Sequence, residues 1–212
     1  MKKVLFISNG FAEDLTAITI IKELKKTGAD AEVSCLPVIG NAKHFKGLGI
    51  KVIGPHWEVP SEGLNYGSIL LHLLDLLYGL PILILGQLFS LFIRRKKFDL
   101  VVTVGDFVNI AAAALARVRA PLFHVWICPS HEYPEWVRAY IKKHGVIIYP
   151  RHDNYEDLNS LGVPVRYVGN PLMDTFEITG KALGLDKTLP TVGVLPGSRK
   201  NVFKNLPVIV KA

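Results

Sequence analysis

Four short runs of this chain, residues 4–7, 100–104, 122–126 and 146–149, are apolar at nearly every position, so a strand formed by any of them turns apolar side chains to both faces. Strands of that kind belong inside a parallel sheet covered by helices. Between them the pattern turns helical. Residues 14–26 are amphipathic, 108–117 are rich in alanine, and 134–143 start with a proline suited to a first helical turn. With a further strand at 31–36, the first forty residues read as a βαβ unit. The whole alternation predicts an α/β fold, a doubly wound, Rossmann-like parallel sheet.

Half of the 212 residues are hydrophobic and 20% are charged, which fits a globular protein with a sizeable core. The formal charge of +7 points to an anionic partner: nucleic acid, a nucleotide-sugar diphosphate or an acidic membrane surface. The charges are scattered and no nucleic-acid-binding motif accompanies them, so nucleic acid is not expected. Cys35 and Cys128 are far apart with no Cys-x-x-Cys spacing, which favours neither a disulfide framework nor zinc. No metal and no cofactor is expected. The apolar run at 4–7 is too short for a signal-peptide core, and a cytoplasmic location is expected.

Residues 1–168 are expected to form the first domain and 169–189, broken by Gly169-Asn170-Pro171 and Thr179-Gly180, a linker. Residues 190–212 then read as the strand (191–195) and loop that begin another α/β domain. Such a domain needs on the order of 100–150 residues, so the expectation is a truncated chain, inactive by itself.

Residues 69–93 are apolar enough to resemble a transmembrane helix and are followed by Arg94, Arg95, Lys96 and Lys97. A single span is disfavoured. It would put strands of one parallel sheet on opposite sides of a bilayer, and His72, Asp75, Gly79, Pro81 and Gln87 interrupt the run. Two readings remain, a helix pair packed on the sheet and the same pair embedded in a membrane surface, with the basic cluster favouring anionic lipid.

The turn Ser8-Asn9-Gly10-Phe11-Ala12-Glu13-Asp14 places small residues and backbone N–H groups at a helix N-terminus, where Asn9, Gly10 and Asp14 can hold an anion or a sugar hydroxyl. Equally, Asp14 or Ser8 can simply cap the turn. Gly105-Asp106-Phe107-Val108-Asn109 follows the strand at 100–104, where open α/β sheets bind ligands. Asp106 can act as a general base there or as the N-cap of the alanine-rich helix. Further candidates are His131, in a loop ending another strand, and Gly197, Ser198 and Arg199, where glycine allows close backbone approach and Ser and Arg can donate to phosphate. That loop lacks the Lys-Ser/Thr ending of a P-loop.

Four stretches, 7–15, 105–109, 161–174 and Leu195-Pro196-Gly197-Ser198-Arg199, together resemble the lipid-A-disaccharide synthases and their related proteins. The resemblance runs over essentially the whole chain. It implies a metal-independent, inverting glycosyltransferase of GT-B architecture that transfers 2,3-diacylglucosamine from a UDP-sugar donor to a lipid-sugar phosphate acceptor at the inner face of the cytoplasmic membrane. On that mapping Asp106 matches the catalytic base, Ser198 and Arg199 the loop near the donor phosphates, and Asn9, Gly10 and Asp14 the first-strand loop facing the cleft. The family's first loop usually reads Gly-Glu-x-Ser-Gly-Asp, and a glutamate usually stands three positions after Gly-Ser-Arg. This chain has neither. Other UDP-sugar GT-B enzymes with a lipid acceptor, and a non-catalytic membrane-binding domain, are the competing readings.

Overall fold

In a computed structural model, residues 1–62, 69–127, 133–153, 158, 162–180, 184–186, 188–195 and 202–211 are described. Residues Met1–Thr175 form one compact unit and Phe176–Ala212 another.

The first unit is built on six parallel strands, β1 (Lys2–Ser8), β2 (Ala31–Pro37), β3 (Lys51–Val52), β4 (Leu100–Gly105), β5 (Leu122–Trp126) and β6 (Ile147–Pro150), in the order β3-β2-β1-β4-β5-β6. That is the order expected of a doubly wound sheet. β3 is too short to be read from the sequence. Between the strands run α1 (Phe11–Lys26), α2 (Lys43–Gly47), α3 (Ile69–Leu77), α4 (Leu80–Arg94), α5 (Phe107–Leu115) and α6 (Glu135–His144). Helix ends follow local chemistry. α1 carries Glu13 and Asp14 in its first turn and Lys25 and Lys26 in its last, matching the helix dipole, and α6 stops at Gly145 in the left-handed conformation.

The strands bury alternate residues in two separate cores. Val4, Phe6, Cys35, Val102 and Val104 meet Ile18 and Ile21 of α1 and Phe45 of α2, whereas Leu5, Ile7, Val101, Leu122 and Ile148 meet Leu91 of α4, Ile110 of α5 and Ile141 of α6. A one-residue slip in any strand would exchange the two faces, so the register is tightly specified.

Residues 69–93 form two helices, bent by 62° at the break, and no single described helix is long and apolar enough to cross a membrane. α4 is fastened by one polar residue. The Nε2 of buried Gln87 donates to the carbonyls of Pro37, Val38 and Pro55 at 2.9–3.1 Å, while Leu83 and Leu91, four residues either side, enter the core. Asp75 of α3, also buried, accepts from the Ser61 N–H.

In the second unit the described structure is helix α7 (Val202–Lys211), with Pro207 inside it. The strand expected at 191–195 does not form: those residues are exposed and pair with no strand among the described residues. An extended segment without a ladder partner has nothing to satisfy its backbone but water.

Gln87→Leu should lower stability by about 2–3 kcal/mol, because three inward carbonyls lose their donor. Urea unfolding measures this. A change below about 0.5 kcal/mol, the size of a neutral surface substitution, would show that the carbonyls find other partners.

Candidate functional site

Because every strand is parallel, all carboxyl ends lie at one edge. The chain leaves β1 toward one face and β4 toward the other, opening a crevice between the two loops. The Ser8–Val104 pair is the last before that crevice. Asn9 to Asp14 follow β1 and Gly105 to Asn109 follow β4, so five candidates, Asn9, Gly10, Asp14, Asp106 and Asn109, lie on the two neighbouring loops at this edge, Asp14 and Asn109 with buried side chains.

Gly10 is held at φ 84°, and a Cβ on it would lie 2.7 Å from the Ile39 carbonyl oxygen. Only glycine fits there. Its own carbonyl accepts from the N–H groups of Glu13 and Asp14, starting α1. Asp14 turns inward. It is buried and accepts a hydrogen bond from the Ser8 hydroxyl. Burial raises its pKa to about 6, against the lowering effects of Ser8, the Gly10 backbone and the nearby His44.

Asp106 is half-buried, and one carboxylate oxygen accepts from the Val108 N–H at 2.9 Å, capping α5. Gly105, at φ 138°, has no room for a side chain. An added Cβ would meet the Asn109 amide nitrogen at 2.5 Å and Cγ of Glu13 at 3.4 Å. Asn109 is fully buried, its Nδ2 donating to the Val104 carbonyl at 2.7 Å. Glu13 therefore belongs to the same cluster, although it matches no position of the family loop.

Oδ1 of Asn9, Oδ1 of Asn109, Nε1 of Trp126 and Nε of Arg151 are buried and make no hydrogen bond among the described residues. All four lie at the sheet's carboxyl edge. Asn9 follows β1, Asn109 is in the first turn after β4, Trp126 ends β5 and Arg151 follows β6. A buried polar atom without a partner costs about 1–3 kcal/mol, so their gathering at one edge, two acceptors and two donors, is a concentration of unmet hydrogen-bonding capacity.

His124 of β5 sits inside the core. Its Nδ1 is 2.8 Å from the Thr103 hydroxyl and its Nε2 2.9 Å from the Tyr133 hydroxyl. Burial depresses its pKa to about 3 despite the bond to Thr103, so the ring is neutral. Cys35 is buried with its thiol pushed up to about 12, first by burial and then by Asp14. It is inert. An apolar cavity of about 240 Å³ on the α1 side of β4–β6, lined by Ile20, Val102, Phe123 and Val125, carries no catalytic group. Among the described residues no cluster of His, Cys, Asp and Glu has metal-binding geometry. His131, Gly197, Ser198, Arg199 and Cys128 lie outside the described residues.

Comparison with known proteins bears out the resemblance. A lipid-A-disaccharide synthase from Thiobacillus denitrificans is 32% identical over 164 residues, 71% of this chain and 41% of that protein. One from Syntrophotalea carbinolica is 46% identical over 50 residues, covering 21% of this chain and 13% of its own length. The chain thus spans less than half the length of these relatives. No family model matches it. Among solved structures, the UDP-N-acetylglucosamine 2-epimerase of Rickettsia bellii superposes with a TM-score of 0.50 at 17% identity over 83% of this chain and 47% of its own, a likeness of fold.

Asp14 and His124 should give stability two opposed pH dependences. Asp14 keeps a proton up to about pH 6 in the folded protein but loses it near 3.8 when unfolded, so its contribution falls as pH rises from about 4 to 6, by roughly 3 kcal/mol. For His124 the unfolded chain binds the proton between about pH 3 and 6.5 and the folded protein does not, so its contribution rises over that window. In Asp14→Asn the falling term disappears. Urea midpoints should then show the variant gaining on the wild type steadily between pH 4 and 6, and a constant difference would mean that Asp14 ionises normally.

Proposed function

We propose that this chain is the acceptor-side domain of a lipid-A-disaccharide-synthase-like glycosyltransferase. It would transfer 2,3-diacylglucosamine from UDP to a lipid-sugar phosphate at the inner surface of the cytoplasmic membrane. The observation that carries the reading is Asp106 at the switch-point crevice, with unpartnered polar atoms gathered along the same edge. A half-buried carboxylate there is within reach of a hydroxyl docked over β1 and β4. In this mechanism the acceptor hydroxyl loses its proton to Asp106 as its oxygen attacks the anomeric carbon from the face opposite UDP. The bond from that carbon to the UDP oxygen breaks, its electron pair leaves on the diphosphate, and the configuration inverts. No metal or cofactor enters. Ser198 and Arg199 would serve the donor phosphates in a second domain, for which residues 190–212 are the beginning and 169–189 the linker. Gly197 would allow the close approach, and His131 would touch substrate from the loop after β5.

The membrane part of the proposal rests on α3 and α4. Along α4, Leu83, Gln87 and Leu91 are buried, while Ile82, Leu85, Phe89 and Phe92 on the other side are 41–71% exposed. α3 likewise exposes Ile69, Leu70, Leu73, Leu76 and Leu77. A helix docked lengthwise on its own domain with an apolar stripe outward suits burial in the plane of a membrane surface. Arg94, Arg95, Lys96 and Lys97 follow that stripe, each worth about 1 kcal/mol against anionic lipid. The guanidinium of Arg95 stacks 3.9 Å from the Phe92 ring centre, keeping charge beside the apolar face.

Asp106 has a second reading, because its side chain already caps α5. Two substitutions separate the roles. Asp106→Asn keeps a capping oxygen but cannot take a proton, whereas Asp106→Ala loses both. As a base, Asp106 predicts that either variant of the intact protein forms disaccharide about 100-fold or more slowly, from UDP-2,3-diacylglucosamine and phosphorylated diacylglucosamine followed by mass spectrometry. Only the alanine variant should lose stability, by about 1 kcal/mol. An active Asp106→Asn enzyme would leave the cap as the whole role.

On flotation with vesicles containing anionic phospholipid, the intact protein should rise with the lipid at low salt, and Leu85→Glu with Phe89→Glu should abolish this. Equal recovery of wild type and variant in the lipid fraction would remove α4 from the membrane contact.

A further inference from the structure

Arg117 stands where a helix usually ends on glycine. α5 closes with the Arg117 N–H on the Ala114 carbonyl at 2.9 Å and the Val118 N–H on the Ala113 carbonyl at 3.0 Å, which leaves Arg117 at φ 54°, in the left-handed region. α6 stops in the same way, and there the residue is Gly145 at φ 60°. A side chain in that conformation strains the backbone, so an exposed arginine kept there points to a use outside the fold.

The surroundings of Arg117 supply one. The segment 116–121 is fastened to the end of α4, the Arg119 N–H donating to the Arg95 carbonyl at 3.2 Å, so Arg117 and Arg119 stand beside the basic run 94–97 at the amino edge of the sheet. Among the described residues none of these six side chains forms an ion pair, and those of Arg94 and Arg95 donate only to the Ser90 and Phe92 carbonyls of their own helix. Apolar surface adjoins the six. α4 and α5 enter one core on the face opposite α1. α5 turns Ile110, Ala111 and Ala113 inward and leaves Val108 and Leu115 37% and 61% exposed. Seven residues apart, those two lie on one side of the helix. α6, the next helix on that face, exposes Trp136 among Glu135, Lys142 and Lys143, so the uninterrupted apolar surface ends at α5.

We propose that the α5–β5 turn is a second contact with anionic phospholipid, in which Arg117 and Arg119 bind headgroup phosphates beside residues 94–97 and Leu115 enters the acyl boundary. An arginine fork suits phosphate oxygens, and apolar side chains next to it suit a lipid surface rather than a nucleic acid. This rests on the membrane-surface reading of α3 and α4 and extends it. Contacts on two separate helices hold the domain with its α4–α5 face down, where a single helix would let it roll.

Vesicle binding by the intact protein tests this with two double substitutions that remove equal charge from different places. Arg117→Gly with Arg119→Gln should weaken binding to vesicles of equal parts phosphatidylglycerol and phosphatidylcholine by about 10–30-fold at low salt, the share of two cations. Glycine suits the left-handed position, so this variant should unfold in urea no more easily than the wild type. Lys142→Gln with Lys143→Gln on α6 should bind nearly as the wild type does. Equal losses in the two variants would reduce the effect to net charge and overturn the proposal, as would unchanged binding by the first. Leu85→Glu with Phe89→Glu separates the two readings. Full binding by that variant, with loss in the arginine variant, removes α4 from the membrane contact and keeps the turn. The reverse pattern excludes the turn alone, and a wild type that binds no vesicle overturns both.

Discussion

The parallel pairing of β1 with β4, from Val4–Leu100 to Ser8–Val104, is the contact on which the rest of the structure depends. These strands are joined through more than ninety residues of intervening chain, so the pair forms only if both faces of the sheet are covered at once. α1 and α2 cover one face and α4, α5 and α6 the other. The reversal of winding at this pair also leaves the crevice that Asn9 and Asp106 flank. Fold and site are therefore one constraint, since a sheet wound in a single sense would have no such gap at its centre.

The same pairing explains why so apolar a segment as 69–93 can belong to a folded α/β unit. The crossover from β3 to β4 has to lie on the face opposite α1, and α4 does so with one side only. Gln87 makes that side specific. A leucine there would bury as well, but three carbonyls, Pro37 and Val38 at the end of β2 and Pro55 after β3, would lose their donor and the helix its angular register. The outward side has no comparable constraint from the fold and is free to be apolar for another reason.

Much of this was legible in the sequence. Runs apolar on both faces announced a parallel sheet because period and composition agree for β1, β4 and β5, and Asp106 could be placed at the end of β4 because strand ends are where such runs stop. β3 was not legible, since two residues carry no period. The strand expected at 191–195 had the right composition but no partner, and composition cannot supply a ladder. Asn9, Gly10, Asp14, Asp106 and Asn109 lie on the loops after β1 and β4, yet sequence could not tell which turn inward. Asp14 does, against Ser8, because one residue of helical rotation separates it from Glu13. Glu13 and Arg151 were missed for a related reason. What marks them is proximity across strands, to Gly105 for one and to Trp126 for the other, and no linear motif records that.

A chain under selection for stability alone would not keep buried amide, indole and guanidinium atoms without partners along a single edge. Nor would it hold Gly105 at a positive φ beneath Asn109, where an ordinary side chain would push that amide aside. Such departures from local consistency are expected where function rather than folding sets the residues. Their distribution carries information beyond their number. Random defects would mix donors and acceptors, whereas here acceptors accompany the carboxylates and donors accompany the guanidinium.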